Sequence, residues 1–233
     1  MRKIIIEEGV FQIFPNFKRG LVIVSDMKNE GSNPEIEELL ENQRVIRQGC
    51  PLDREEITAW EEMHRRFGSN PNKFPPSIKS LIKRAQRGDR IPFVNSVVAL
   101  FNYISLKYLL PCGGDDLDKI QGNLRLGIAT GEEEFVPLGG WEIEHPVPGE
   151  IIYYDDLSKR VMCRKWNWRN GDFSKILEST RRVVINVDGA ETVPEKRVIE
   201  ARDELADLLS KHCSATLTTD LLNAGNREII LEI

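Results

Sequence analysis

Cysteine is scarce in this 233-residue sequence: Cys50, Cys112, Cys163 and Cys213 stand fifty residues or more apart. That spacing excludes a disulfide scaffold and the close ligand pairs of zinc and redox sites. The four read as buried or half-buried thiols of a reducing cytoplasm. Histidine is scarcer still, with only His64, His145 and His212, none clustered with a cysteine, so no metal is expected. Long apolar runs are missing too. No stretch approaches the ~20 residues that a membrane span requires. The opening MRKIII runs into Glu7 and Glu8, too short an apolar run for a signal peptide's core. Generic catalytic signatures are absent: no Gly-x-Ser-x-Gly, no phosphate loop, no His-Glu-x-x-His and no dinucleotide fingerprint. No cofactor is therefore expected.

What the chain has is 40% hydrophobic and 30% charged residues, which excludes disorder. The net charge of −5 argues against a nucleic-acid partner, DNA above all. No repeat and no low-complexity linker divides the chain, so residues 1–233 read as a single domain.

Short β-branched runs at 3–6 and 21–24 read as strands. Asn33-Pro34 opens a helix to about residue 48, Asn as cap and Pro at the first helical position. Asp53 with Glu56 reads as a capping box for a helix to about 67. Further helices are expected over 77–86, 95–108 and 194–211. The strands expected beyond residue 123 are 124–129, 135–138, 150–154, 160–163, 183–187 and 228–232. Helices first and strands later predict an α+β fold, a mixed and mostly antiparallel sheet flanked by helices.

Three segments carry chemistry. Cys112 before Gly113-Gly114 is either an exposed nucleophile or an ordinary loop thiol, with no histidine implicated as its base. In PCGGDDLDKI (111–120) the glycines let backbone amides approach a ligand, and Asp115, Asp116 and Asp118 could hold an ammonium group or a metal. Equally, Gly-Gly makes a turn and Asp116 caps a short helix over 117–120. Residues 159–182 are locally basic, and within them lies RKWNWR, Arg164–Arg169. Cations interleaved with flat rings suit single-stranded nucleic acid; a half-buried strand with two core tryptophans and a wet basic face suits the pattern as well. Lys79, Lys83, Arg84 and Arg87 read as the solvated side of a helix.

Several ordered blocks then resemble one family. Residues 95–120, NSVVALFNYISLKYLLPCGGDDLDKI, with FGSNPNKFPPS (67–77), PGEIIYYDD (148–156) and CRKWNWRNGDFSKI (163–176), are similar to the central, editing domain of the phenylalanyl-tRNA synthetase β subunit. Freestanding bacterial proteins built from this domain alone are closer still. The resemblance covers about residues 60–188. It implies a tRNA-binding module that hydrolyses the ester between a wrong amino acid and the terminal ribose of tRNA, in trans. It implies catalytic roles for Asp172, as the water-orienting or amine-binding carboxylate, for Thr180, and for the Gly113-Gly114 backbone. Asp115, Asn102, Trp166, Asn167 and Trp168 would bind the substrate, and Arg164, Lys165, Arg169, Lys175, Arg181 and Arg182 the tRNA. Where the synthetase pattern has a histidine, this sequence has Gly113. That departure keeps two other readings open: a non-catalytic binder of tRNA or a free amino acid, and a hydrolase of small amino-acid esters or amides. With no ATP-binding signature the chain is not a complete synthetase.

Overall fold

The computed structural model describes residues 1–232. The chain runs β1 (Lys3–Ile6), α1 (Glu8–Ile13), β2 (Lys18–Asp26), α2 (Pro34–Ile46), α3 (Glu55–Arg66), α4 (Ser77–Gln86), α5 (Ser96–Tyr108) and β3 (Cys112–Asp116). There follow a 3-10 turn (Leu117–Lys119), β4 (Leu124–Ile128), β5 (Ile151–Asp155), β6 (Val161–Arg164), β7 (Arg169–Asn170), β8 (Val183–Gly189), α6 (Glu195–Cys213), β9 (Thr216–Leu222) and β10 (Glu228–Ile230). The strands form two sheets, β10-β1-β4-β5-β6-β7 and β3-β8-β2-β9, antiparallel except where β1 lies parallel to β4. The fold is α+β, with helices covering antiparallel-rich sheets.

Several elements depart from what the sequence suggests. Cys112–Asp116 is an edge strand rather than a Gly-Gly turn. Residues 135–138 make only isolated bridges, Phe135 to Glu144 and Pro137 to Gly171, because two glycines and Pro137 break the run. Helix α3 begins after Arg54 with no side-chain cap; Glu56 is instead held by Arg54 and Arg197. Other signals hold. Asn33 and Asn95 both cap, accepting from the amides of Ile36 and Val98. Asp116 accepts from the Asp118 amide at the 3-10 turn.

RKWNWR is not a strand. Arg164 pairs with Arg169 across a hairpin, and the four residues between them form its turn. Lys165 and Trp166 both adopt the left-handed region (φ 47° and 65°), a conformation that costs side-chain-bearing residues about 1–2 kcal/mol each. Glu150 offsets this by accepting from both the amide and the ammonium of Lys165, while the Trp166 amide donates to the Ile151 carbonyl. The inversion drives the Trp166 ring inward, against Phe14, Phe17 and Trp60, with centroids 4.7–5.3 Å away.

The buried end of α5 is fixed from outside. Leu109 terminates it in the left-handed region, Arg47 donates to the free carbonyls of Leu106 and Lys107, and Glu204 of α6 gathers Tyr103, Lys107 and Tyr108. Lys107 thus serves helix packing.

Trp166→Ala should lower stability by about 3–5 kcal/mol, because a large buried ring leaves a cavity that its neighbours only partly close. Urea denaturation measures this, and a loss below ~1 kcal/mol would show that the aromatic cluster does not organise the core.

Candidate functional site

A polar cleft of about 150 Å³ opens between the two sheets. Its floor comes from strand alternation. Antiparallel register sets Arg19 of β2 opposite Asp188 of β8, and Gly113 of β3 opposite Asn186. Residues two apart share a face, so Asn186 and Asp188 point the same way, as do Gly113 and Asp115. Tyr153 of β5 closes the cleft from the other sheet, its ring 5.0 Å from the Arg19 guanidinium carbon. Asn102, Asn167 and Asn170 complete the rim.

The two glycines of β3 do different work. A Cβ at Gly113 would meet nothing within 4 Å, since it would project into open space. A Cβ at Gly114 would stand 2.8 Å from the Val184 carbonyl, with Ile185 and Ile176 close behind.

Buried charge dominates the cleft. Arg19 and Asp188 form a bidentate pair (2.7 and 2.8 Å), and Trp166 donates its indole N–H to the same carboxylate at 3.1 Å. The second terminal nitrogen of Arg19, the Asn186 side-chain carbonyl and the Tyr153 hydroxyl are buried with no hydrogen-bond partner among the described residues. Three unsatisfied polar groups around one cavity are what a polar ligand would complete. Asp115 accepts from the Ser174 hydroxyl at 2.6 Å. Burial pushes its carboxyl up to about 6, outweighing the opposing pull of Ser174 and Arg19. Burial also pushes the Cys112 and Cys163 thiols up, against the thiolate a nucleophile needs.

Beyond Phe101, Gly114, Asp115 and Asn170 lies a second, more apolar chamber of about 170 Å³. Val94, Val98, Leu138, Ile176 and Leu177 line it, with Ser174 and Lys175 at its polar edge.

The structure brings together Gly113, Gly114, Asp115, Asn102, Trp166 and Asn167 in the cleft. It sets other expected residues apart. Asp172 lines neither chamber; it accepts from the Gly139 amide (2.9 Å) and pairs with Lys175 (3.0 Å), contacts that hold its carboxyl below the usual range. Thr180 is buried in a turn, donating to Asp116 at 2.7 Å and accepting from the Leu177 amide. Trp168 packs edge-on against Phe74, outside the cleft.

The expected tRNA-binding cations are largely engaged. Arg164 and Lys165 turn inward onto Glu150 rather than facing phosphate, because burying that carboxylate requires cations beside it. Burial would raise Glu150, but Arg164 and Lys165 together hold it below its ordinary value. Arg169 lies 3.6 Å from Glu144, Arg181 donates to the Glu178 carbonyl, and Arg182 pairs with Asp118.

Sequence reasoning missed Arg19, Tyr153, Ser174, Asn186 and Asp188. A signal existed for three of them. Arg19 interrupts KRGLVIV, and Asn186 and Asp188 stand two apart within VVINVDG, polar groups on one face of otherwise apolar strands.

Two predictions follow from these environments. Gly113→Ala should leave stability within ~0.5 kcal/mol, while Gly114→Ala should cost at least ~1 kcal/mol through overpacking; thermal melting separates them, and equal losses would refute the asymmetry. The second concerns pH. Asp115 is raised from 3.8 to about 6, so the folded state holds its proton more tightly and this group's contribution weakens as pH rises from about 4 to 6. Buried His64 is lowered from 6.5 to about 4, so its contribution weakens as pH falls across nearly the same window. The two oppose each other. Asp115→Asn should make stability fall more steeply toward acid and His64→Gln less steeply, read from denaturation midpoints between pH 4 and 6.5. Unchanged slopes in both variants would refute the assignment.

The family model of the B3/4 domain matches residues 59–224. Among curated proteins no match is found. Among solved structures, the fold is similar to an N-terminal fragment of the phenylalanyl-tRNA synthetase β-subunit from Pyrococcus horikoshii, at 14% identity and a TM-score of 0.50. That likeness covers 91% of this chain and 49% of the fragment, so the chain spans about half of the fragment's length. At this identity the likeness speaks for the fold. It agrees with the resemblance carried by the sequence blocks. Among the described residues no helix is long and apolar enough to cross a membrane.

Proposed function

Because the chain belongs to the B3/4 domain family, we propose that it is an editing-type module that receives the aminoacyl end of tRNA in the polar cleft and hydrolyses the ester. The carrying observation is the cleft itself: a glycine strand, a carboxyl poised near 6 and three buried polar groups without partners. Residues 1–233 act in this reading as one unit, with core side chains drawn from Ile4 to Leu231.

In this reading Gly113 lets the ester lie against β3. The free nitrogen of Arg19 donates to the carbonyl oxygen as it becomes an oxyanion. Asp115, ionised above about pH 6, takes a proton from the attacking water and returns it to the departing ribose oxygen. The Asn186 carbonyl accepts from the substrate ammonium. The apolar chamber beyond Asp115 receives the amino-acid side chain. Asp172 and Thr180, at their positions outside the cleft, serve the adjoining loop and turn.

One observation favours a second reading, a non-catalytic binder: among the described residues no histidine lines the cleft, and Gly113 leaves open the place where the synthetase pattern has one. Both readings meet in one experiment. Release of amino acid from a panel of mischarged tRNAs should depend on the protein, rise with pH through about 6 after subtraction of spontaneous hydrolysis, and fall ~10²–10⁴-fold in kcat/KM in Asp115→Asn. No release across the panel, with binding retained, would select the binder. Release from small amino-acid esters or amides but never from tRNA would select a small-molecule hydrolase.

A further inference from the structure

An open groove of about 420 Å³ runs along α4 and ends at the polar cleft. The two share Ser77, Asn102 and Cys112, so the groove adjoins the cleft. From Ser77 to the neighbours Ser80 and Leu81, to Arg84 and to the C-cap Arg87 the steps are three or four residues, which places them along one stripe of the helix and its end, while Ile78, Ile82 and Ala85 are buried on another. Lys83 joins the stripe at its outer edge, and Trp168 stands on the opposite wall near the cleft.

The charges here differ from those of residues 164–182. Arg164 and Lys165 are neutralised by Glu150 and Glu144, Lys175 by Asp172 and Arg182 by Asp118. On α4, Lys79 is likewise paired, with Glu61. Lys83 and Arg84, by contrast, face no carboxylate among the described residues; Arg84 makes only a 3.3 Å contact to the Arg90 carbonyl. Arg87 shares its charge with Asp89 at 2.8 Å, both side chains about half exposed. In a chain of net charge −5, a groove lined by three cations and, among the described residues, no anion is a local inversion of sign.

We propose that this groove is the track for the single-stranded 3′ end of an RNA. Lys83, Arg84 and Arg87 contact successive phosphates, Trp168 offers a ring edge or face to a base, and Asn102 stands where the strand turns into the cleft. The stripe from Ser77 to Arg87 is ~15 Å long at the rise of a helix, the scale of a few nucleotides. Cations along a groove with an aromatic wall are the general means of holding single strands without sequence preference. The inference rests on the editing-type reading of the cleft and supplies what that reading lacks, a surface that delivers the RNA terminus.

The test uses the full chain and labelled, uncharged tRNA, with affinity measured by fluorescence anisotropy at two salt concentrations. Lys83→Glu with Arg84→Glu should weaken binding at least ~10-fold and flatten the dependence of log K on log salt by about 1–2. Lys83→Arg should bind like wild type, and Lys196→Glu, an exposed charge on α6, should change affinity less than ~2-fold. If the double charge reversal does not melt cooperatively, Lys83→Gln with Arg84→Gln carries the test, with a loss of at least ~3-fold expected. Wild-type affinity and salt slope in the folded double variant would overturn the track and leave the editing-type reading standing. Wild-type protein that binds no tRNA at low salt would overturn the reading, and the track with it.

Discussion

The Arg19–Asp188 pair is the constraint around which the site is arranged. It joins adjacent strands of one sheet, faces Tyr153 from the other, and takes a third hydrogen bond from the central tryptophan of the core. Burying two ions costs several kcal/mol each, which their attraction repays only with good geometry and further hydrogen bonds. Asp188 has those further bonds. Arg19, which lines the cleft, has one terminal nitrogen with no partner among the described residues. The pair therefore holds the sheets in a fixed relation while remaining chemically incomplete. An incomplete buried ion pair is a poor choice for stability alone and a sensible one for holding a polar ligand.

The ionic residues of the RKWNWR hairpin show the opposite use of charge. Glu150 draws Arg164 and Lys165 inward and satisfies both the backbone and the ammonium of Lys165. This cluster makes an inverted turn tolerable and so places Trp166 beneath Asp188. The basic character of this segment serves the fold. A count of cations along the chain cannot separate these from Lys83 and Arg84 of α4, because the difference lies in which carboxylates fold back onto them.

Much of the architecture was legible. The caps at Asn33 and Asn95, the helix from Ser77 and the strands near 124–128, 151–155, 161–164 and 183–189 rest on local rules that tertiary structure leaves intact, whereas 135–138 does not form a strand and β9 carries no clear apolar signal. The glycine strand was not legible, since Cys-Gly-Gly-Asp-Asp has little strand propensity and is held extended by pairing with β8 along its whole length. The site was half legible. Gly113, Gly114 and Asp115 stand out by local composition. Arg19, Asn186 and Asp188 come from segments far apart in sequence, and only the β2–β8 register makes them neighbours. Asp172 and Thr180 lie on the segment that borders the two chambers, but that segment presents Asn170 and Ser174 to them.

That register has a consequence in time. Arg19 and Asp188 are 169 residues apart, and β1 bonds to a strand whose Glu228 lies 225 residues beyond Lys3. Contacts so distant close late, because the loop entropy must be met before they form. During synthesis the arginine emerges long before its carboxylate and must stay hydrated until β8 arrives. The nascent chain can build α2 through α5 while the cleft does not yet exist. Formation of the cleft is thus coupled to the arrival of β8, and a fragment truncated ahead of β8 would carry an unmatched cation into whatever compact state it reached.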